Sequence, residues 1–397
     1  MVDQAAAVEV EHLYKVFGDH PKQALEMLEK GVSKADIFER TGMTIGVEDA
    51  SFSVSPGEIF VVMGLSGSGK STLLRMLNRL IQPSSGRVLI DGQDITQLGE
   101  RELIEVRRKK MSMVFQSFAL LPHQKVWENV AFGLEIADVD KQERRSRALE
   151  VLDQVGLKAQ ADSYPPQLSG GMQQRVGLAR ALCTRPSVLL MDEAFSALDP
   201  LIRSEMQDEL IRLQRQDSRT IVFISHDLDE AMRIGDRILI LESGRIVQLG
   251  TPQEIMDNPA NDFVRSFFRN VDVTKFYRAG DVAANHEELV IDGLEHDLAQ
   301  LLERMLEAER EVAYLRAANG SFAGLLTSKR LKHAIEARAN LDSALQEITH
   351  VKAEQSLGDV VAQVAESRHA LPVLDADGQL AGVLSKSELL KALRRAE

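Results

Sequence analysis

Ile59-Phe-Val-Val-Met63 runs directly into Gly64-Leu-Ser-Gly-Ser-Gly-Lys-Ser71, and Thr72-Leu-Leu-Arg-Met-Leu-Asn-Arg-Leu80 follows. A short apolar run, a glycine-rich loop and an amphipathic run read as strand, loop and helix, the setting in which GxxxxGK[ST] binds phosphate. Glycines let backbone N–H groups turn inward as a nest, and the helix behind them adds its positive end. Gly64, Leu65, Ser66, Gly67, Ser68, Gly69, Lys70, Ser71 and Thr72 are therefore the first candidate nucleotide contacts. Lys70 is expected to reach the β- and γ-phosphates and Ser71 to offer its hydroxyl to Mg²⁺.

Two further apolar runs end in polar residues. Val188-Leu-Leu-Met-Asp-Glu193 reads as a buried strand that delivers Asp192 as a Mg²⁺ ligand and Glu193 as the group that polarises water. Carboxylates after a strand are often only helix caps, and the phosphate loop decides for chemistry here. Thr220-Ile-Val-Phe-Ile-Ser225 is another strand, and it brings His226 to the same edge, where ligands gather at the carboxyl ends of parallel strands. Ser112–Phe115 and Arg237–Leu241 complete the expected strands, and the alternation from Val8 to about Arg269 is that of an α/β domain. An insert between Gly18 and Gly46 predicts two short amphipathic helices broken at Gly31, a surface decoration on periodicity alone.

The 397 residues suffice for two or three domains, with 47 basic and 60 acidic side chains for a net charge of −13. That balance argues against a nucleic-acid partner, whose phosphates are held by Lys and Arg. Cys183 is the only cysteine, which leaves no internal disulfide and suits a reducing cytosol. The acidic start has no signal-peptide layout, and no apolar run approaches the roughly 18 residues of a spanning helix. Work at a membrane is thus expected to proceed by docking onto an embedded partner.

Beyond Asn270 the character changes, with 13 basic and 20 acidic side chains in residues 281–397. The stretch from Glu311 aligns without a gap on that from His369, matching Gly320 to Gly378, Gly324 to Gly382 and Leu331 to Leu389. Each copy reads as helix, strand, turn (Asn319-Gly320 or Asp377-Gly378), strand and helix. The expected organisation is a nucleotide-binding α/β domain at 1–270. A linker at 271–280 follows, and then a paired repeat whose copies span about 281–340 and 341–397.

Leu168-Ser-Gly-Gly-Met-Gln-Gln174 opens a helix in which Ser169 reads as the N-cap and Gly170 and Gly171 free backbone N–H groups for a phosphate. LSGGMQQ resembles the signature of ATP-binding-cassette (ABC) ATPases, and with the motifs above the resemblance covers the whole first domain. It implies that residues 1–270 are an ATPase domain with a P-loop NTPase core and a helical subdomain near 117–185, with ATP and Mg²⁺ as cofactors. By the same resemblance Gln116, in VFQ, is the glutamine-loop residue and a Mg²⁺ contact, Ser196-Ala-Leu-Asp199 the D-loop, and His226 the switch histidine. Phe17, in KVFG, falls where the family stacks a ring on adenine, with Tyr14 as the competitor. The family pairs two cassettes head to tail, so the signature, with Ser169, Gly170, Gly171 and Gln173, completes the partner copy's site.

The insert, the run RRKKMSMVFQSFALLPH and the run MDEAFSALDPLIRSEMQDEL resemble the glycine betaine/proline betaine importer ATPases. The C-terminal repeat looks like the tandem CBS domains of that group, a small α+β regulatory domain that commonly binds adenine nucleotides. The first copy departs from the pattern, with Tyr314 and Arg316 where the second has Pro372 and Leu374. The resemblance implies a homodimer on the cytoplasmic face of the inner membrane, a transmembrane permease partner and, indirectly, a substrate-binding protein. Residues Ser117–His123 and Val126–Val130 are then expected at the groove for a permease helix, with Trp127 at its edge. An importer for choline or another small solute is the alternative, and a soluble non-transport ABC ATPase the more remote one.

Overall fold

A computed structural model of the chain describes residues 5–268, 272–284, 290–292, 297–317 and 319–394. It contains two compact units, Met1–Phe267 and Phe268–Glu397. Residues 269–271 and 285–289, at and after the expected linker, lie outside the described residues.

The strands of the first unit are, in chain order, β1 (Val8–Phe17), β2 (Thr44–Val54), β3 (Ile59–Met63), β4 (Ser85–Ile90), β5 (Gln93–Asp94), β6 (Met111–Val114), β7 (Val188–Asp192), β8 (Thr220–Ser225), β9 (Arg237–Glu242) and β10 (Arg245–Gly250). They form an antiparallel sheet ordered β2-β1-β4-β5 and a six-stranded sheet ordered β10-β9-β3-β8-β7-β6. In the larger sheet β9, β3, β8, β7 and β6 run parallel, and β10 returns antiparallel beside β9. Every residue of β3, β7 and β8 is buried, which explains why these strands read as unbroken apolar runs. The helix Lys70–Leu77 turns Leu73, Leu74, Met76 and Leu77 into one core with both sheets. In that core the rings of Phe52 and Phe60 stack with centroids 5.2 Å apart. The phosphate loop is thus a short bridge between two rigidly packed elements.

The insert forms the helices Pro21–Glu29 and Lys34–Thr41. Ser33 caps the second by accepting from Asp36 N–H, and Gly42 ends it at φ = 69°. Ala24 and Ile37 are buried against Val16, Met43 and Ile45. Lys34 pairs with the buried Glu48 at 2.8 Å, and Arg245 pairs with the same carboxylate. Burial would raise the Glu48 pKa, but hydrogen bonds from Arg245 and Lys34 bring it below the ordinary value. The decoration is therefore anchored electrostatically to β2, and the Lys34 ammonium also donates to the Ser243 carbonyl in the turn between β9 and β10.

Between β6 and β7 lie the helices Val126–Ile136, Lys141–Gln154 and Gly170–Cys183. Trp127, expected at the edge of a groove, is 6% exposed under the Arg145 guanidinium, 5.3 Å from its ring. Its indole belongs to the core of this subdomain, where a large amphipathic ring loses most water contact.

The second unit holds two three-stranded sheets. One is ordered β11 (Val290–Asp292), β12 (Val312–Arg316), β13 (Phe322–Thr327); the other β14 (Val351–Lys352), β15 (Leu371–Leu374), β16 (Leu380–Leu384). Helices Leu298–Glu307 and Ser328–Glu336 flank β12–β13, and Leu357–Glu366 and Lys386–Arg394 flank β15–β16. The turns place Gly320 at φ = 87° and Gly378 at φ = 76°. The copies exchange their leading segments: Ala284 pairs with Val383 of the second, and Gln346 pairs with Leu325 of the first. Residues 277–280, assigned to a linker on sequence, sit in this unit. Tyr277 is 1% exposed, and the N–H groups of Ala279 and Gly280 donate to Gln355 and Ala353 carbonyls at 2.8 and 3.0 Å.

Candidate nucleotide site

Gly64 at φ = 155°, Gly67 at 79° and Gly69 at 100° give the loop its curl. A Cβ at Gly64 would lie 2.2 Å from Leu241 O, and one at Gly69 would lie 2.4 Å from Gly46 O. Neither position has room for a side chain. Lys70 is buried, and its Nζ donates to Gly64 O at 2.8 Å and Leu65 O at 2.9 Å. Burial lowers its pKa from the ordinary lysine value, while the Glu193 and Asp192 carboxylates oppose that shift. Ser68 Oγ is buried without a hydrogen-bond partner, an orphan that suits a phosphate oxygen nearby.

Ser71 Oγ donates to Asp192 Oδ1 at 2.9 Å, joining the loop to the end of β7. A hydroxyl and a carboxylate side by side are a hard oxygen donor set of the kind Mg²⁺ takes when substrate phosphates supply further ligands. Among the described residues no group of three or more His, Cys, Asp or Glu could hold a metal by itself. Arg75 Nη2 reaches Asp192 Oδ2 at 3.3 Å, a contact its place one helical turn beyond Ser71 permits.

Glu193 follows β7 at φ = 46°, a left-handed conformation uncommon for a residue with a side chain. Its Oε2 is 3.4 Å from His226 Nδ1, so the ends of β7 and β8 converge. Ser196 Oγ donates to Glu193 O at 2.9 Å, and Gln116 Nε2 donates to Ser196 Oγ at 3.3 Å. Glu193, His226, Gln116 and Ser196 are therefore one cluster, with Lys70, Ser71 and Asp192 beside it.

Phe17 ends β1 with 41% of its surface exposed. A Cβ on Gly46 would meet the Phe17 ring at 2.7 Å and the Thr72 methyl at 3.6 Å, so the ring lies against the edge of the phosphate loop. Lys15 Nζ is 5.2 Å from the centroid of that ring. Tyr14 stands opposite Ser85 on the same strand, and burial raises its pKa. Leu65 is exposed at the loop tip, as are Ser66 and Gly67.

The signature stands on a separate helix. Ser169 accepts from Met172 N–H at 3.3 Å as N-cap, and Gln173 Nε2 donates to Leu168 O at 3.1 Å. Gly170 is exposed and Gly171 half-buried, and a Cβ on Gly171 would meet Ile202 at 2.6 Å. These hydrogen bonds stay within the signature segment, leaving its first turn open to a ligand from outside.

Two supports escaped the sequence reading. Asn129, 0% exposed inside a helix, accepts from Leu121 N–H and donates to the Leu121, Gln124 and Lys125 carbonyls at 3.1 Å each. Arg180 donates to Ala119 O at 2.6 Å and Phe118 O at 3.1 Å. Together they clamp the loop after Gln116. An asparagine within an apolar helical run was the available signal, since that residue is uncommon in buried helix interiors.

Residues 47–196 match the ABC transporter family and residues 344–395 the CBS domain. The chain is 52% identical, over 98% of both chains, to the glycine betaine/proline betaine transport system ATP-binding protein ProV of Escherichia coli. It is 46% identical, over 97% of both, to the glycine betaine/carnitine transport ATP-binding protein GbuA of Listeria monocytogenes. With the glycine betaine transport ATP-binding protein OpuAA of Bacillus subtilis it shares 47% identity over 97% of this chain and 92% of that one. Among solved structures, a dimeric post-hydrolysis state of an ATP-binding cassette bound to ADP and Pi aligns with a TM-score of 0.52. That likeness is at 32% identity and covers 62% of this chain and 98% of the other.

Proposed function

Since the chain belongs to the ABC transporter ATP-binding proteins of the glycine betaine/proline betaine type, which hydrolyse ATP to power transport, we propose that it drives uptake of glycine betaine or proline betaine through a membrane permease. The length of the likeness carries this reading: it runs through insert, cassette and C-terminal repeat alike. An ATPase subunit does not handle the cargo, so its substrate is read by kinship. Among the described residues no helix is long and apolar enough to cross a membrane, which suits peripheral attachment to the cytoplasmic side of a permease.

In the proposed mechanism the loop Gly64–Thr72 wraps the phosphates with N–H groups, and Lys70 neutralises the β- and γ-oxygens. Ser71, Asp192 and Gln116 would hold Mg²⁺, which when bound draws charge from the β- and γ-phosphates. Glu193 aligns the attacking water, and His226 keeps that carboxylate in place. Phe17 stacks on adenine. The open first turn at Ser169, Gly170, Gly171 and Gln173 is offered to the ATP of a second copy, so two chains enclose two nucleotides. The second unit serves as the regulator, with an adenine nucleotide as the expected ligand class.

Reconstitution with the copurified permease and binding protein tests the solute. Glycine betaine or proline betaine should stimulate ATP hydrolysis and accumulate inside proteoliposomes. Stimulation by choline alone would overturn the choice of solute, and hydrolysis indifferent to every solute in a functional complex would overturn the transport reading.

A further inference from the structure

We propose that Arg203 is a positioning residue for ATP hydrolysis, tying the Ser196–Asp199 loop to the segment that carries His226 and so fixing both against Glu193. Its Nη1 donates to Asp227 Oδ2 at 3.1 Å, while Nη2 donates to Leu198 O at 3.2 Å and Ser196 O at 3.5 Å. The pair with Asp227 is partly shielded, at 27% and 34% side-chain exposure. These contacts close a ring. Ser196 Oγ holds the Glu193 carbonyl, Arg203 holds the Ser196 carbonyl and Asp227, and His226, adjacent to Asp227, meets the Glu193 carboxylate.

The segment that Arg203 grips is rigid on its far side. Asp227 N–H donates to Ser225 Oγ at 2.9 Å, and Asp227 Oδ1 accepts from Glu230 N–H at 3.3 Å. Ser225 Oγ also donates to the buried Glu230 carboxylate at 2.6 Å, which accepts from Gln207 Nε2 as well. A guanidinium is suited to this post, because one planar fork serves two carbonyls and a carboxylate from fixed directions. A lysine would supply the charge without the fork. The hydrogen bonds of Arg203 go to neither the phosphate loop nor Lys70, so its effect on the reaction passes through the groups around Glu193.

This inference rests on Glu193 as the water-aligning carboxylate, and the experiment separates the two. ATP hydrolysis by the full-length chain is followed as kcat and KM for Arg203→Met, Arg203→Lys, Asp227→Asn and Glu193→Gln, with thermal unfolding of each. Misplacement of a reacting group by about 1 Å costs on the order of 10²-fold in rate, so Arg203→Met should lose roughly 10- to 100-fold in kcat with KM within about twofold. Arg203→Lys should recover part of that loss. Arg203→Met combined with Asp227→Asn should fall no further than Arg203→Met alone, as expected for partners in one contact. Should Arg203→Met fail to fold, the two milder variants decide: wild-type kcat in both overturns the proposal, and lowered kcat at unchanged KM and unfolding temperature supports it. A raised KM at constant kcat also overturns it. Inactive Glu193→Gln beside fully active Arg203 variants removes the positioning role alone, whereas near-normal Glu193→Gln removes the reading on which it stands.

Discussion

Phe17 keeps an exposed ring at the end of a strand whose Val8, Val10, Leu13 and Val16 are buried, and the ring abuts Gly46 at the rim of the phosphate loop. Stacking a base on such a ring is worth about 1–3 kcal/mol. Phe17→Ala should therefore weaken ATP and GTP binding alike by roughly 5- to 150-fold, with little change in kcat, as read by titration with a fluorescent nucleotide. A larger loss in Tyr14→Ala would transfer the role to that ring. Cys183 supplies a second check at this scale. Burial pushes its thiol up to about 11, and only the thiolate reacts, so maleimide labelling near pH 8 should be slow in the folded chain and rapid once it unfolds. Fast labelling of the native protein would contradict the packing around the signature helix. Asp192, Glu193 and His226 were legible because each ends an apolar run. Arg203 was not, because its partners come from two loops, and an Asp199–Arg203 spacing reads equally well as a solvated helix pair.

At the scale of elements, the phosphate loop depends on glycine for two separable reasons. Gly67 has a positive φ but open space where a Cβ would go, so Gly67→Ala should cost only the left-handed backbone term, about 1–2 kcal/mol. Gly64→Ala adds a clash with Leu241 O and Ser68 Oγ, and overpacking of that kind costs about 1–3 kcal/mol more. Denaturant unfolding of the nucleotide-free variants should separate the two, and equal stabilities would mean that the loop shifts freely away from β9. Buried strands were the most legible elements: β3 and β8 have the limits expected, and the helices of the insert break at Gly31 as its periodicity implies. Trp127 misled because a helix with apolar residues on several sides does not say which side meets the subdomain core. The exchange of Ala284 and Gln346 between the repeats was likewise hidden, since a single residue bridging two sheets leaves no periodic trace.

For the whole molecule, the proposed phosphate contacts all lie in the first unit, and the repeat has its own core around Leu301, Leu315, Leu326 and Leu331. Because residues 277–280 belong to the second unit, a cut after Phe267 is the cleaner boundary. The truncated chain should fold and hydrolyse ATP, since each unit has its own packed interior. Coupling between a regulatory and a catalytic site is typically about 1–3 kcal/mol. Its loss should leave transport at similar maximal rate without a response to ionic strength, and identical salt series for full-length and cut complexes would make the repeat a structural module. The most direct test concerns the site that two copies are proposed to share. Glu193→Gln retains every proposed phosphate contact but lacks the carboxylate proposed to align water. Light scattering of the full-length Glu193→Gln chain should show a monomer without nucleotide and a stable dimer with two bound ATP molecules. A variant that stays monomeric while binding ATP, or that dimerises and still turns over at near the native rate, would contradict that proposal.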